Sequence, residues 1–181
     1  FFDCAKNPDL RFIVSNTTEA GIEYKPNQNP DDFNGLTFPG RLTLFMKKRF
    51  DEGLGGFILL PCELIDKNGD NLKECILKYS EDWGYGGEFE KWIETENHFT
   101  NTLVDRIVTG YPRDNAKEME QSYGYLDDMI DTAEIFHLWV IEGDKKLAEE
   151  IPFHKIGLNV LWTDDVTPYK KRKVRILNGA H

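Results

Sequence analysis

Residues 57–64 have the sequence Phe57-Ile-Leu-Leu-Pro-Cys-Glu-Leu64, an apolar run that becomes polar at its end. Such a run is typical of a strand buried on both faces of a parallel sheet. A similar run, residues 10–15, precedes it, and helical patterns cover residues 42–50, 71–79 and 88–96. Strands that alternate with helices predict an α/β fold with a largely parallel sheet.

The second half of the chain continues this alternation. Residues 103–108 favour a strand, although the pattern leaves a short helix open, and residues 135–141 form the clearest alternating strand. Residues 145–150 are predicted to be helical and residues 158–162 to form a strand. A last helix should begin at Pro168 with Thr167 as its N-cap, and a domain boundary is expected just before it.

Charge and composition argue against some kinds of binding partner and cellular compartment. The net charge of −10 argues against nucleic acid, because phosphate neutralisation needs a surplus of Lys and Arg. No stretch approaches the ~20 apolar residues that cross a bilayer, so we expect no membrane partner. The 3 cysteines lack CxxC spacing, which favours a reducing, cytoplasmic compartment over disulfides or structural zinc. The chain starts without Met or a signal pattern, and we interpret it as an internal piece of a longer protein.

Several short segments resemble known binding motifs but do not match them. The glycine clusters at residues 53–56 and 84–87 do not match a dinucleotide-binding GxGxxG loop. Residues 66–71 imitate a calcium loop but lack its required Gly and Glu, so a surface turn is predicted there. The histidines lack metal-ligand spacing, and His137 is interpreted as a hydrogen-bonded core residue. We therefore expect no metal site.

The segment Lys173-Val-Arg-Ile-Leu-Asn178-Gly-Ala-His181 carries the most chemistry. At about 100° per residue, Lys173, Asn178 and His181 lie on one side of a helix. A lysine on a partly buried wall can act as a general base, an Asn amide can donate to a developing oxyanion, and an imidazole can orient a hydroxyl. On spacing alone, however, the simpler interpretation is favoured, a basic amphipathic helix.

Taken together, these segments resemble the polyol-specific long-chain dehydrogenase/reductase family, also called the mannitol dehydrogenase family. Its signature of a Lys, four residues, an Asn, two residues and a His matches Lys173, Asn178 and His181. A second signature matches Asn101-Thr-Leu-Val-Asp-Arg-Ile107. Residues 15–21 and 61–64 look like the family's strand ends beside the nicotinamide, and residues 164–169 like the entry to its helical domain.

The resemblance implies a fold, a cofactor and roles for individual residues. Residues 1–166 would be the second part of a Rossmann-like NAD-binding domain without its first βαβ unit, and residues 167–181 the start of a helical substrate domain. Lys173 would be the general base, Asn101 and Asn178 the oxyanion hole, and His181 a substrate contact. Hydride transfer would need no zinc. The residues expected beside NAD are Asn16, Thr17, Thr18, Glu19 and Cys62.

Within that family, residues 16–21, 60–65 and 109–113 are most similar to the members that act on tagaturonate. The implied reaction interconverts D-altronate and D-tagaturonate, a small sugar acid and its keto form. Fructuronate and mannitol-type polyols are alternative substrates. A non-catalytic α/β module that binds through residues 170–175 is the alternative from another class. Some relatives carry Glu where this chain has Lys170, which removes a proton-relay role there. We expect little activity from this piece alone, and the sequence does not indicate its oligomeric state.

Overall fold

The computed structural model of the chain describes residues 1–173 and residue 175. Short 3₁₀ turns occupy Phe33–Gly35, Lys145–Glu149 and Phe153–Ile156. The α-helices are α1 (Phe2–Ala5), α2 (Phe38–Asp51), α3 (Asn68–Asp82), α4 (Gly87–Glu96), α5 (Ala116–Tyr123) and α6 (Thr167–Arg172). The strands are β1 (Phe12–Ser15), β2 (Ile58–Pro61), β3 (His98–Phe99), β4 (Asn101–Asp105), β5 (Val108–Gly110), β6 (Thr132–Ala133), β7 (Leu138–Glu142) and β8 (Val160–Thr163).

Two βαβ units form the first half of the molecule. Strands β1, β2 and β3 are parallel neighbours in that order. Helix α2 connects β1 to β2, and helices α3 and α4 connect β2 to β3, because parallel strands need a long crossover. The predicted α/β fold with a largely parallel sheet is confirmed. The division of domains after residue 166 stays a prediction.

The second half adds a pairing that the sequence did not predict. Strand β4 pairs with β7 in the antiparallel sense, and β8 lies parallel to β7 on its far side. In this register Asn101 lies directly opposite Glu142, and Asp105 opposite Leu138. A separate small hairpin pairs β5 with β6. The carboxyl end of β7 is therefore brought beside the amino end of β4.

Strand β2 is buried on both faces, as its continuous apolar sequence predicts. Leu59 belongs to a core cluster that α2, α3 and α4 complete, in which Met46 and Ile76 are fully buried. Ile58 and Leu60 point the other way into a second cluster with Ile141 of β7. Since successive side chains of a strand alternate between faces, this single strand joins the two cores.

Asn68 fastens the end of β2 to β4 and to the start of α3. It is 1% exposed, and the two hydrogens of its Nδ2 are shared among the carbonyl oxygens of Pro61, Glu63 and Thr102, which lie 2.9, 3.1 and 3.1 Å away. Its Oδ1 accepts from the backbone N–H groups of Thr102 at 2.9 Å and Gly69 at 3.0 Å. The surface turn predicted for residues 66–71 is therefore wrong at its centre, because these contacts bury the amide.

Two other predictions are wrong in detail. The strand predicted for residues 135–141 begins only at Leu138, and the Ile135 side chain is 97% exposed because it precedes the first pairing of β7. Thr167 was predicted as the N-cap of the last helix but forms its first turn. Val166 is the N-cap residue instead, and the backbone N–H of Thr167 donates to the Asp165 carboxylate at 2.8 Å.

Replacing Asn68 by Ala should lower the free energy of unfolding by about 2–4 kcal/mol, because buried backbone groups of Pro61, Glu63 and Thr102 lose a partner. Urea unfolding measures this change. Asn71→Ala is the matched control, since its amide makes a single bond to the Asp66 carbonyl at 2.8 Å. Equal stabilities of the two variants would contradict the role given to Asn68.

Candidate active site

The carboxyl ends of β1 and β2 are joined by one buried acid, Glu63, which is 1% exposed. Its Oε2 accepts from the Ser15 hydroxyl at 3.1 Å. Its Oε1 accepts from both the backbone N–H and the hydroxyl of Thr17, at 3.1 and 3.0 Å. These three donors compensate the buried carboxylate and fix the loop that follows β1.

Lys173 reaches from the end of α6 to β4. Its Nζ donates to the backbone carbonyl of Val104 at 2.8 Å and lies 3.4 Å from Asp105 Oδ1. The two side chains of this ion pair are only 17% and 15% exposed. The other oxygen of Asp105, Oδ2, is buried without a hydrogen-bond partner among the described residues. The ammonium is thus held at a defined place beside the strand.

Asn101 is held from two sides at the other end of β4. Its Oδ1 accepts from the backbone N–H of Asp70 at 3.1 Å, in the first turn of α3. Its Nδ2 donates to Glu142 Oε1 at 3.0 Å. An amide nitrogen carries two hydrogens, so this contact leaves one donor of Asn101 for another acceptor. The orientation of the amide follows from these two contacts.

Glu142 also forms a hydrogen bond at the start of α6. Its second oxygen, Oε2, accepts from the backbone N–H of Val166 at 2.8 Å. Val166 precedes the first residue of the helix that carries Lys173. A negative charge at a helix N-terminus is favourable, because the first N–H groups have no partner within the helix. One carboxylate therefore links Asn101 to the helix of Lys173.

Glu63, Asn101 and Lys173 line a cavity of about 260 Å³, which we call the Lys173 cavity. Its described lining consists of Glu19, residues 63–67, residues 101–103, Val166, Lys170 and Lys173. Residues that the sequence places far apart, Glu19, Asn101 and Lys173, therefore meet at one site. The cavity lies at the carboxyl ends of β1 and β2, where open α/β sheets bind their ligands.

The residues predicted to lie beside NAD divide into two groups. Asn16, Thr17, Thr18 and Glu19 are exposed in the loop after β1, and Glu19 reaches the Lys173 cavity. Cys62, in contrast, is 7% exposed, and its Sγ lies 3.6 Å from the Leu60 carbonyl. Burial raises the pKa of the Cys62 thiol to about 11. Cys62 is not among the described residues that line the Lys173 cavity.

Other residues singled out in the sequence lie at or beyond the edge of this site. Asn178 and His181 fall outside the described residues, and their roles stay predictions. His137 is half-buried and accepts from the Asn159 backbone N–H at Nε2, 3.0 Å away. In residues 1–173 and 175, no group of three or more His, Cys, Asp or Glu side chains is arranged to hold a metal ion. No helix in the same part is long and apolar enough to cross a membrane.

Sequence reasoning missed two residues of the site. Asp105 lies within the signature of residues 101–107 without a predicted role, yet it contacts Lys173. Glu142 was not singled out, although an acid at the end of an apolar strand is a recognisable signal. A carboxylate placed there needs nearby donors, and it finds them in Asn101 and Val166. Each acid therefore contacts a candidate catalytic residue: Asp105 contacts Lys173, and Glu142 contacts Asn101.

Residues 1–155 match the model of the mannitol dehydrogenase Rossmann domain. The chain belongs to the mannitol dehydrogenase family. Over 185 aligned positions it is 50% identical to the altronate oxidoreductases of Enterobacter sp. (strain 638) and Shigella flexneri. All of this chain is covered, against 38% of either relative. The chain thus spans well under half the length of these relatives.

Two solved structures have the same fold. D-sorbitol dehydrogenase in its substrate-free form superposes with a TM-score of 0.79, at 27% identity and over 99% of this chain and 39% of that one. The mannitol 2-dehydrogenase of Pseudomonas fluorescens, in a ternary complex with NAD and D-mannitol, gives a TM-score of 0.75 at 23% identity, over 99% of this chain and 38% of that one. The fold is therefore Rossmann-like, and the family predicted from the two signatures is confirmed.

The reactivity of the cysteines should report the burial of Cys62. Its raised pKa, about 11 against an ordinary value of 9.0, lowers the thiolate fraction by about 100-fold. At about pH 8 a thiol reagent should label exposed Cys4 quickly but Cys62 and Cys75 only after unfolding, as peptide mass spectrometry can measure. Rapid labelling of Cys62 in the folded protein would show a solvent-facing thiol instead.

Replacing Glu142 by Ala should loosen the start of α6. The Val166 amide should exchange its hydrogen at least about tenfold faster, because a hydrogen bond to a charged group contributes about 1.5 kcal/mol or more. Hydrogen exchange detected by mass spectrometry or NMR measures this. Exposed Glu149, replaced by Ala, serves as control and should leave Val166 unchanged. Unaltered exchange in Glu142→Ala would refute the link between Glu142 and α6.

Proposed function

We propose that this chain is part of an NAD-dependent oxidoreductase that interconverts D-altronate and D-tagaturonate, with Lys173 as the general acid and base. The observation that carries the proposal is the position of the Lys173 ammonium. It lies beside Asp105, in the same cavity as the amide of Asn101. A proton donor and an N–H donor beside one cavity are the groups that reduction of a carbonyl requires.

The reaction assigns each of these groups a step. During reduction Lys173 donates a proton to the substrate oxygen, and during oxidation it takes the hydroxyl proton back. Asn101 donates its free N–H to the same oxygen while negative charge develops there. Asp105 stabilises the ammonium before the proton leaves. Asn178 and His181 are proposed to complete this arrangement, and no metal ion takes part in the proposed step.

The residues around the cavity fit a dinucleotide cofactor. The exposed polar loop of residues 16–19 follows β1, and Glu63 holds its Thr17 in place. This loop stands at the sheet edge where Rossmann-like domains bind the nicotinamide half of the cofactor. NADH, when bound there, supplies the hydride that the carbonyl carbon accepts. The relatives' name, altronate oxidoreductase, supports the sugar-acid substrate.

The alternatives have less support. Fructuronate or a mannitol-type polyol would use the same Lys173 and Asn101, and only a substrate panel separates them from tagaturonate. A non-catalytic module that binds through residues 170–175 would need a free basic surface. Lys170, however, pairs with Asp66 at 2.6 Å and lines the Lys173 cavity. This basic segment therefore faces the candidate active site at least in part.

Replacing Lys173 by Ala in the full-length parent enzyme should lower kcat for tagaturonate by about 10²- to 10⁴-fold, because the proton donor is lost. The KM for NADH should change little, since Lys173 is not proposed to bind the cofactor. Loss of NADH absorbance on mixing with tagaturonate measures the rate. Fructuronate and fructose, tested in parallel, show which carbonyl substrate the enzyme prefers.

Lys171→Ala is the matched control for this experiment. It removes an exposed lysine of the same helix and should leave kcat unchanged. Wild-type turnover in Lys173→Ala would remove Lys173 from the mechanism. Absence of NADH oxidation by the wild-type parent with any keto sugar or keto acid would overturn the proposed function as a whole.

A further inference from the structure

Two lysines, one in α6 and one directly after it, line the Lys173 cavity. Lys170 and Lys173 are three positions apart, so they are neighbours on one side of the helix, and both line the cavity. The Lys173 ammonium already contacts the Val104 carbonyl and the Asp105 carboxylate. The proposed reaction uses Lys173 at the oxygen that gains or loses a proton. Lys170 has no task in that step.

The ion pairs of these lysines differ in exposure. Lys173 and Asp105 are 17% and 15% exposed, so their pair is shielded from water. Lys170 is 36% exposed, but its partner Asp66 is 74% exposed in the loop before α3. Exposed ion pairs of this kind contribute little to stability. Asp66 can therefore move into solvent at low cost and leave the Lys170 ammonium to another anion.

A sugar acid presents two different groups to its enzyme. Its carbonyl or hydroxyl needs a proton-transfer group, whereas its carboxylate needs a separate cation or set of donors. Among the described cavity residues the cations besides Lys173 are Lys67 and Lys170. The Lys67 side chain is 71% exposed, about twice as much as that of Lys170, and faces Asp70 at 3.9 Å. The less hydrated Lys170 is the stronger partner for an anion.

We propose that Lys170 binds the carboxylate of the sugar-acid substrate, and that Asp66 holds this place until the substrate displaces it. The assignment rests on the proposed function and adds to it the residue that distinguishes an acid from a neutral sugar. The hydrogen bond from Lys170 lowers the pKa of Asp66, so Asp66 is charged at neutral pH and competes with the substrate. Glu19, Glu63 and Asp66 would otherwise make this cavity unfavourable for an anion.

The test compares two substrates of the full-length parent enzyme. One is a keto sugar acid, and the other is the matching keto sugar with a hydroxymethyl group in place of the carboxylate. Lys170→Ala should raise KM for the acid by about 10- to 100-fold, because the carboxylate loses its cation. The kcat/KM for the neutral sugar and the KM for NADH should stay unchanged. Lys170→Arg should retain the preference for the acid.

Asp66→Asn tests the displacement step separately. Loss of the competing carboxylate should lower KM for the keto acid by a few-fold and leave the neutral sugar unaffected, an effect that no loss of folding can imitate. Lys171→Ala is the matched control and should leave both substrates unchanged.

The possible outcomes separate the two proposals. If the wild-type enzyme reduces the acid and Lys170→Ala keeps the same acid-to-neutral ratio, the role of Lys170 is refuted while the proposed function stands. Equal losses on both substrates would also refute it, since they would show a structural defect. If the wild-type enzyme reduces no keto acid, the proposed function fails, and the carboxylate site fails with it.

Discussion

The buried amide of Asn68 is the contact on which the site depends most. It contacts three backbone carbonyl oxygens and two backbone N–H groups, which belong to β2, to Glu63 just after it, to β4 and to the start of α3. Gly69 permits this approach, because a Cβ there would lie 2.2 Å from the Thr100 carbonyl oxygen. The side chain provides hydrogen-bond partners for backbone groups at the strand ends, which strand pairing would otherwise provide.

A series of polar contacts connects β4, which Asn68 holds, to the candidate catalytic lysine. Asn101, at the start of β4, is fixed by the first turn of α3 and by Glu142. Glu142 in turn holds the start of α6, and the end of α6 returns Lys173 to β4. The site is therefore enclosed by strands and a helix that hydrogen bonds between polar groups connect, and such networks favour a single arrangement.

Local sequence patterns predicted the helices and strands, but they did not predict the contacts between residues far apart in the chain. The continuous apolar sequence of β2 and the helical spacing of α3 and α4 depend on near neighbours, so they could be recognised directly. Asn101 and Glu142 are 41 positions apart in the chain, and Lys173 and Val104 are 69 positions apart. Nothing in single-sequence periodicity encodes such pairings. The catalytic assignments came from a family signature, and their residues at 178 and 181 lie outside the described part.

The pairing of β4 with β7 has a consequence for how this site arises during folding. Asn101, Leu103 and Asp105 share one face of β4, because side chains alternate along a strand. A slip of one residue would turn Asn101 and Asp105 to the opposite face together and separate Asn101 from Glu142. The hydrogen bond between these two residues thus discriminates against misaligned strands. A chain that folds with the wrong alignment loses its functional groups all at once, so correct assembly and competence for chemistry are acquired in the same event.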